Sequence, residues 1–442
     1  MAGGVALYAI NEFITMSLLP SVVADIGGAR LYAWVTTVYL VASVVSATTV
    51  GPVLARFGPR LSYLGALLFF AGGTAVCAAA PSMAALLAGR LIQGLAGGVL
   101  AGLGYAVISA ALPERLWTRA AAVVSAMWGV GTLIGPASGG VFAQFGLWRW
   151  GFGVLMFAAL LMAALVPIAL PARGGATEHR VRIPVRSLVL LGVAALLVSV
   201  AALQRNPAIT VGLLVSAAVV VAVFVVVDRV SAAHVLPRMT FEPGPLKWIY
   251  LTMGLLMAAT MVDMYAPLFG QRLGALPPAA AGFLGAALSV GWTVAEIRSA
   301  SIADRRVAAR VVRWSPAVMA AGLGLAALAI RDGAGPVAIA ALGLALAISG
   351  VGIGAAWPHL SVWAMGSVEG GSADDAAERA VAAAAINTVQ LMCAAFGAGV
   401  AGVVVNVRAQ PDAPAAQWLF AVFAGLAAVG WLASSRAARG PR

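Results

Sequence analysis

Gly129-Val-Gly-Thr-Leu-Ile-Gly-Pro-Ala-Ser-Gly-Gly140 decides how this chain folds. It is a run of small residues with one proline, set in an apolar segment, 118–145, long enough to cross a bilayer. Gly131, Gly135 and Gly139 recur at i, i+4 and i+8, so one helix face carries almost no side chains and a second backbone can lie against it. Pro136 removes a backbone N–H and bends the helix, which hydrocarbon tolerates only where neighbouring protein satisfies the freed carbonyl. The stretch predicts a helix packed deep in a bundle.

Apolar windows of similar length recur on both sides of it, separated by short polar breaks. With 62% hydrophobic and 10% charged residues among 442, the composition is that of a polytopic membrane protein. Fourteen windows are read: 3–21, 31–54, 61–80, 83–110, 118–145, 150–170, 187–204, 208–227, 247–270, 279–300, 312–330, 336–364, 378–406 and 416–435. Cationic residues fix the orientation. With the N-terminus inside, inner loops collect Arg56, Arg60, Arg115, Arg119, Arg173, Arg180, Arg182, Arg186, Arg229, Arg238, Lys247, Arg305, Arg306, Arg310, Arg313, Arg379, Arg436, Arg439 and Arg442. Outer loops hold only Arg30, Arg149, Arg205, Arg272, Arg331 and Arg408. Both termini are expected in the cytoplasm, and the net charge of +12 reads as a basic inner surface facing anionic lipid, with no need for nucleic acid. The first window has no basic stretch ahead of it and reads as an uncleaved helix; so short a start leaves room for a longer N-terminus.

Ionisable groups within these windows are expensive and mark functional candidates. In the first window Tyr8, Glu12, Thr15 and Leu19 share one stripe, with Asn11 beside them. Glu12 can line a polar cavity, or stay protonated and bond a neighbouring helix. Asp25 reads as an outer loop or cap residue, and Trp148-Arg149-Trp150 as an interfacial anchor. In the fourth window Arg90 and Gln93 share a face with Gly94 and Gly97. Arg90 needs an anion or carbonyls within the bundle unless it snorkels to the interface. The ninth window carries Asp263 and Tyr265 ahead of Pro267, and the tenth carries Glu296 and Arg298, as apt for pairing with loop charges as for transport. Asn387 and Gln390 share a face of the thirteenth, able to line a cavity or hold helices together. His359 reads as a capping or interfacial residue. Cys77, Cys393 and the scattered His179, His234 and His359 suggest neither a disulfide nor a metal site nor an enzyme, and no cofactor is expected.

Several motifs carry a family resemblance. Gly131-x-x-x-Gly135-Pro136-x-x-Gly139-Gly140 resembles the fifth-helix motif of antiporters in the major facilitator superfamily. Arg90-x-x-Gln93-Gly94 resembles that superfamily's fourth-helix motif, and the Glu12 stretch resembles the first helix of its drug exporters. Gly51-Pro-Val-Leu-Ala-Arg56-Phe-Gly58-Pro-Arg60 resembles its inner loop signature, with Ala55 where the pattern has aspartate; Ser301-Ile-Ala-Asp304-Arg305-Arg306 repeats it weakly and has the aspartate. The resemblance implies an all-α membrane protein of two six-helix bundles, 1–170 and 247–442, related by pseudo-two-fold symmetry. Linkers and two extra helices, 171–246, stand between them, as in the 14-helix branch.

The same resemblance implies a monomeric proton-coupled antiporter in the cell membrane that exports hydrophobic or cationic small molecules. Export of a lipid or polar metabolite is the second reading and a non-transporting sensor the third. Proton coupling falls to Glu12, Asp263 and Glu296 with Arg90 modulating, because a carboxyl in hydrocarbon can exist neutral or charged, and its two states can favour different conformations.

Overall fold

The computed structural model describes residues 2–111, 117–170, 183–367, 373–407 and 412–438. Of the charges named above, Arg115, Arg173, Arg180, Arg182, Arg408, Arg439 and Arg442 lie outside the described residues, as do the side chains of Arg119 and Arg379. The first run of helices is α1 (Ala2–Ile26), α2 (Tyr32–Ala47), α3 (Val50–Ala78), α4 (Met83–Ala111), α5 (Trp117–Gln144) and α6 (Trp148–Ala169). Two follow, α7 (Val185–Ala201) and α8 (Pro207–Val230). The last run is α9 (Leu246–Thr260), α10 (Ala266–Gly274), α11 (Pro278–Ser299), α12 (Arg305–Ala329), α13 (Pro336–Gly366), α14 (Ala373–Asn406) and α15 (Ala413–Ala437). Among the described residues there is no strand, and twelve helical spans are long and apolar enough to cross a membrane; α7 is apolar but shorter.

Three boundaries depart from the windows. α1 does not stop at Leu19-Pro20 but runs through the proline to Ile26, since one missing N–H breaks one bond and not the turn. This places Asp25 in its last turn. The second window divides early: Thr48 and Thr49 donate to the Val45 and Ser46 carbonyls at 2.7 Å each, ending α2, and the next residues already wind into α3. The inner loop motif is thus mostly helical, broken only at Gly58, whose φ of 72° suits a residue without Cβ. The ninth window splits, with Met261–Tyr265 forming a 3-10 turn between α9 and α10. The ring of Pro267 would meet the Asp263 carbonyl four residues back in a regular helix, and the tighter turn relieves it.

The helices sort into two compact units, Met1–Ile183 with Pro277–Phe283, and Pro184–Leu276 with Leu284–Arg442. In the first, α1 lies along α5, α4 is flanked by α2 and α3, and α6 covers α3. The α5 glycines set the first contact. A Cβ on Gly131 or Gly135 would meet the Cβ of Ala9 or Phe13, and one on Gly139 the Ile14 carbonyl. Gly140 packs on Ala279, and Gly282 stands over the Pro136 carbonyl. Leu133 and Ile134 stay exposed, so α5 is packed on its glycine side and open on another. At one end, Asp25 accepts from Arg149 (2.6 Å) and from the Trp148 indole (3.0 Å), while Arg149 also reaches the Ala80 carbonyl. The expected interfacial anchor therefore also clamps three helix ends.

In the second unit α12 packs on α13 and α15, and α9 on α14 and α15. Gly254 on α9 faces Cys393 on α14. The α7–α8 pair, expected between the halves, groups with this unit: α7 lies against α14, where Asn406 donates to the Ala202 carbonyl. α8 ends on a buried Asp228 that accepts the backbone N–H groups of Val235 and Leu236.

One helix triplet occurs in each unit. On α4, Gly94 and Gly98 lie against the Tyr39 and Ser43 carbonyls of α2; on α13, Gly350 and Gly354 lie against the Leu288 and Trp292 carbonyls of α11. Gly73 of α3 meets the Gln93 N–H and the Gly89 carbonyl of α4; Gly322 of α12 meets the Ser349 N–H and the Ala345 carbonyl of α13. The sequence offset that pairs Tyr39 with Leu288 and Gly73 with Gly322 also pairs Ala55 with Asp304 and Arg56 with Arg305. The weak loop repeat is therefore the visible end of a structural one.

Candidate functional site

Arg90 is the centre of the first unit. Among the described residues it is the largest fully buried side chain, 1% exposed, so it does not snorkel. Glycines bring α2 and α3 into close contact with α4 on either side of it. Its Nε donates to the Val35 carbonyl at 3.1 Å, and its Nη1 to Gln93 Oε1 at 3.0 Å and Thr15 Oγ1 at 3.3 Å. The guanidinium also sits 4.1 Å from the centre of the Tyr39 ring. A cation that cannot shed its proton is thereby neutralised by dipoles and a π face.

Gln93 extends the network. Its Nε2 donates to Asn11 Oδ1 (3.2 Å) and Thr74 Oγ1 (2.8 Å), and its Oε1 also accepts from Cys77 Sγ at 3.5 Å. Thr15 donates to the Asn11 carbonyl at 2.6 Å. Four of the sequence candidates, Asn11, Thr15, Arg90 and Gln93, are thus brought into one chain of hydrogen bonds. Tyr8 joins through its ring, 5.4 Å from Tyr39 and 5.6 Å from Trp128.

Glu12 is buried, 8% exposed, and lies within electrostatic reach of Arg90, Tyr8 and Tyr39. None of the hydrogen bonds made by Arg90 goes to it.

Tyr39, Thr74, Cys77 and the Val35 carbonyl were not legible as site groups. They come from α2 and α3, where only the crossings with α4 give them a role; the run Thr74-x-x-Cys77 facing the polar side of α4 was the one available signal.

The second unit gathers its candidates less tightly. Asp263, 4% exposed, lies in the 3-10 turn, and Tyr265, equally enclosed, stacks on Phe269, which meets Phe420 edge-on. α14 packs on this turn, yet Asn387 is exposed and Gln390 partly so. Glu296 accepts from the Trp292 indole at 2.9 Å, and that indole meets Trp357. Arg298 is at the surface, and among the described residues the hydrogen bond to Glu296 comes from this aromatic partner. Asp304 caps α12 by accepting from the Arg306 N–H at 2.7 Å, while Gly51, Arg56 and Arg305 are exposed and Arg60 partly buried. Among the described residues no cluster of His, Cys, Asp and Glu could hold a metal ion.

Comparison with known proteins agrees with this architecture. The chain is 59% identical to a probable multidrug-efflux transporter of Mycobacterium tuberculosis, over 99% of this chain and 93% of that protein. It is 28% identical to a multidrug efflux pump of Staphylococcus aureus over 64% of each. Among solved structures, the nucleoside transporter NupG superposes with a TM-score of 0.62 at 16% identity over 98% of both chains. A bacterial homologue of the human lysosomal transporter Spinster, inward-facing and unoccupied, gives 0.65 at 11% identity over 99% of this chain and 96% of that one. These two bear on the fold alone. The family pattern described as Major Facilitator Superfamily matches residues 1–398, and with two helix triplets of one construction the chain belongs to that superfamily.

Proposed function

We propose that this protein is a multidrug-type exporter that drives hydrophobic or cationic small molecules out of the cell in exchange for protons. The observation that carries the reading is the buried Glu12 beside the Arg90 network, near that cation yet not hydrogen-bonded to it. A carboxyl so placed can gain or lose a proton without breaking a salt bridge, while Arg90 holds a fixed positive field. If the two protonation states favour opposite conformations, proton and cargo are coupled. The names of the relatives from M. tuberculosis and S. aureus support efflux of drugs. Trp128, partly exposed and edge-on to the buried Tyr8 ring, offers aromatic surface to an apolar or cationic cargo. Asp263 and Glu296 are the secondary proton candidates, and Tyr265, Asn387 and Gln390 the cargo contacts of the second unit.

The topology belongs to the same proposal. Fourteen crossings place both termini in the cytoplasm, with bundles 1–170 and 247–442 flanking α7 and α8, and a single copy of the chain suffices. Reporter fusions after Arg186 and Lys247 read cytoplasmic and one after Arg205 external; any odd number of crossings between α6 and α9 rejects it.

The decisive measurement is proton release on addition of drug to detergent-solubilised protein, for wild type and Glu12→Gln. The variant keeps shape and hydrogen bonding, so it binds drug and supports downhill exchange but loses proton release and uphill export. Undiminished release moves the role to Asp263 or Glu296, and loss of folding makes Glu12 a structural group.

A further inference from the structure

Glu296 is an acid without a counter-charge. It stands partly buried on α11, and Trp292, one turn before it, donates its indole N–H to Oε2 at 2.9 Å. Among the described residues Oε1 accepts no hydrogen bond and no cation pairs with the carboxylate. Arg298 is exposed and points elsewhere, since two residues along a helix are about 200° around it. On α13, His359 is buried with its Nε2 2.9 Å from Ser299 Oγ, and it too lies about 200° around its helix from Trp357.

A second indole completes the group. Gly350 and Gly354 bring α13 against the backbone of α11 at Leu288 and Trp292, and three residues beyond Gly354 the Trp357 ring lies 5.5 Å from that of Trp292, tilted by 55°. Both indoles are partly exposed, as is the carboxylate, so a ligand can reach all three. The chemistry of the group favours one sign of charge. An ionised carboxylate in apolar surroundings is costly until a cation meets it. Indole is the best of the aromatic rings at attracting cations, and an N–H donated to an anion polarises that ring further in the same sense.

We propose that Glu296, Trp292 and Trp357 form the recognition site for the charged end of a lipophilic organic monocation, its amino or ammonium group at Glu296 Oε1 and its apolar part on the two indoles. One carboxylate with no second acid beside it suits a single positive charge. The site presupposes the efflux reading and narrows its cargo: Glu296 answers the charge of the molecule, while the transported proton stays with Glu12. Cationic and neutral cargo are thereby told apart on α11 and α13.

The test uses two dyes with one ring system, cationic Nile blue and neutral Nile red, titrated by fluorescence into the full chain in lipid nanodiscs with empty discs subtracted. Glu296→Gln keeps an acceptor for the Trp292 indole and removes only the charge. It is expected to weaken Nile blue by about tenfold or more, the scale of a lost hydrogen bond to a charged group, and to leave Nile red within about twofold. Trp357→Leu should weaken Nile blue by about threefold or more, and Trp357→Phe by less. Unchanged Nile blue affinity in Glu296→Gln overturns the site, and an equal loss of both dyes makes Glu296 a structural group. Should Glu296→Gln fail to fold, Trp357→Leu decides: an equal loss of both dyes there also overturns the site. Wild type that binds neither dye rejects the efflux reading and this site with it. Wild type that binds both, with a normal loss of proton release in Glu12→Gln and no dye selectivity at Glu296, rejects the site alone.

Discussion

Arg90 and Leu346 occupy matched places in two helix triplets of the same construction. Each lies four residues before a glycine that touches the carbonyl of a crossing helix, and each is buried. Around Arg90 stand Gln93, Tyr39, Thr74 and Cys77; the corresponding positions around Leu346 are Ser349, Leu288, Leu323 and Ala326. Ser349 donates to its own helix at the Ala345 carbonyl, and the leucines are fully buried. The glycines therefore set how the helices cross, and the residues between them set whether the crossing is a polar site or an oil-like core. Since an unpaired cation in hydrocarbon is costly, the switch requires the whole shell and not one residue.

Exchanging the two centres gives the largest expected effect. Leu346→Arg puts a guanidinium among leucines and should abolish folded protein, seen as loss of the monodisperse peak in size-exclusion chromatography. Arg90→Leu leaves Gln93 and Thr15 short of a partner, at about 1–3 kcal/mol for each buried group, and should end transport while a residual fold survives. A folded Leu346→Arg protein would break the comparison. Next come the shared crossings. Gly98→Leu and Gly354→Leu each drive a branched side chain into a carbonyl, and both should lower thermal stability by at least about 1–3 kcal/mol. Gly135→Leu should act similarly through Phe13. A large cost at Gly98 with none at Gly354 would mean that only one triplet depends on backbone contact.

Tyr39→Phe keeps the ring under Arg90 and should transport at near wild-type rates, whereas Tyr39→Leu should lose about 1–2 kcal/mol of stability. Ser349→Ala should be the mildest, within about 1 kcal/mol, because its hydroxyl only reinforces an existing helical carbonyl. Thermal unfolding of the purified protein checks both.

Much of this was legible beforehand for definite reasons. Apolar windows located the helices because hydrocarbon leaves the backbone no other way to bond, and the spacing of Arg90, Gln93, Asn11 and Thr15 showed which faces were polar. The α5 glycines announced a backbone contact, though not that α1 would make it. Tyr39 looked like any aromatic of a membrane helix, since its role depends on which residue of α4 crosses it. Asp263 was visible as an acid, but the 3-10 turn beneath it depends on where the Pro267 ring meets the preceding turn. His359 was read from its place near a helix end, while its partner Ser299 lies on another helix altogether.

Cys77 rests in the Arg90 network and Cys393 under Gly254, so nature has placed one free thiol in each unit. Cys77 is buried and Cys393 partly so; each meets an alkylating reagent faster as its surroundings open, so the labelling rate of each cysteine is a clock for local opening. The protein thus carries two built-in stopwatches, and cargo that closes one unit while loosening the other would slow the first and hasten the second.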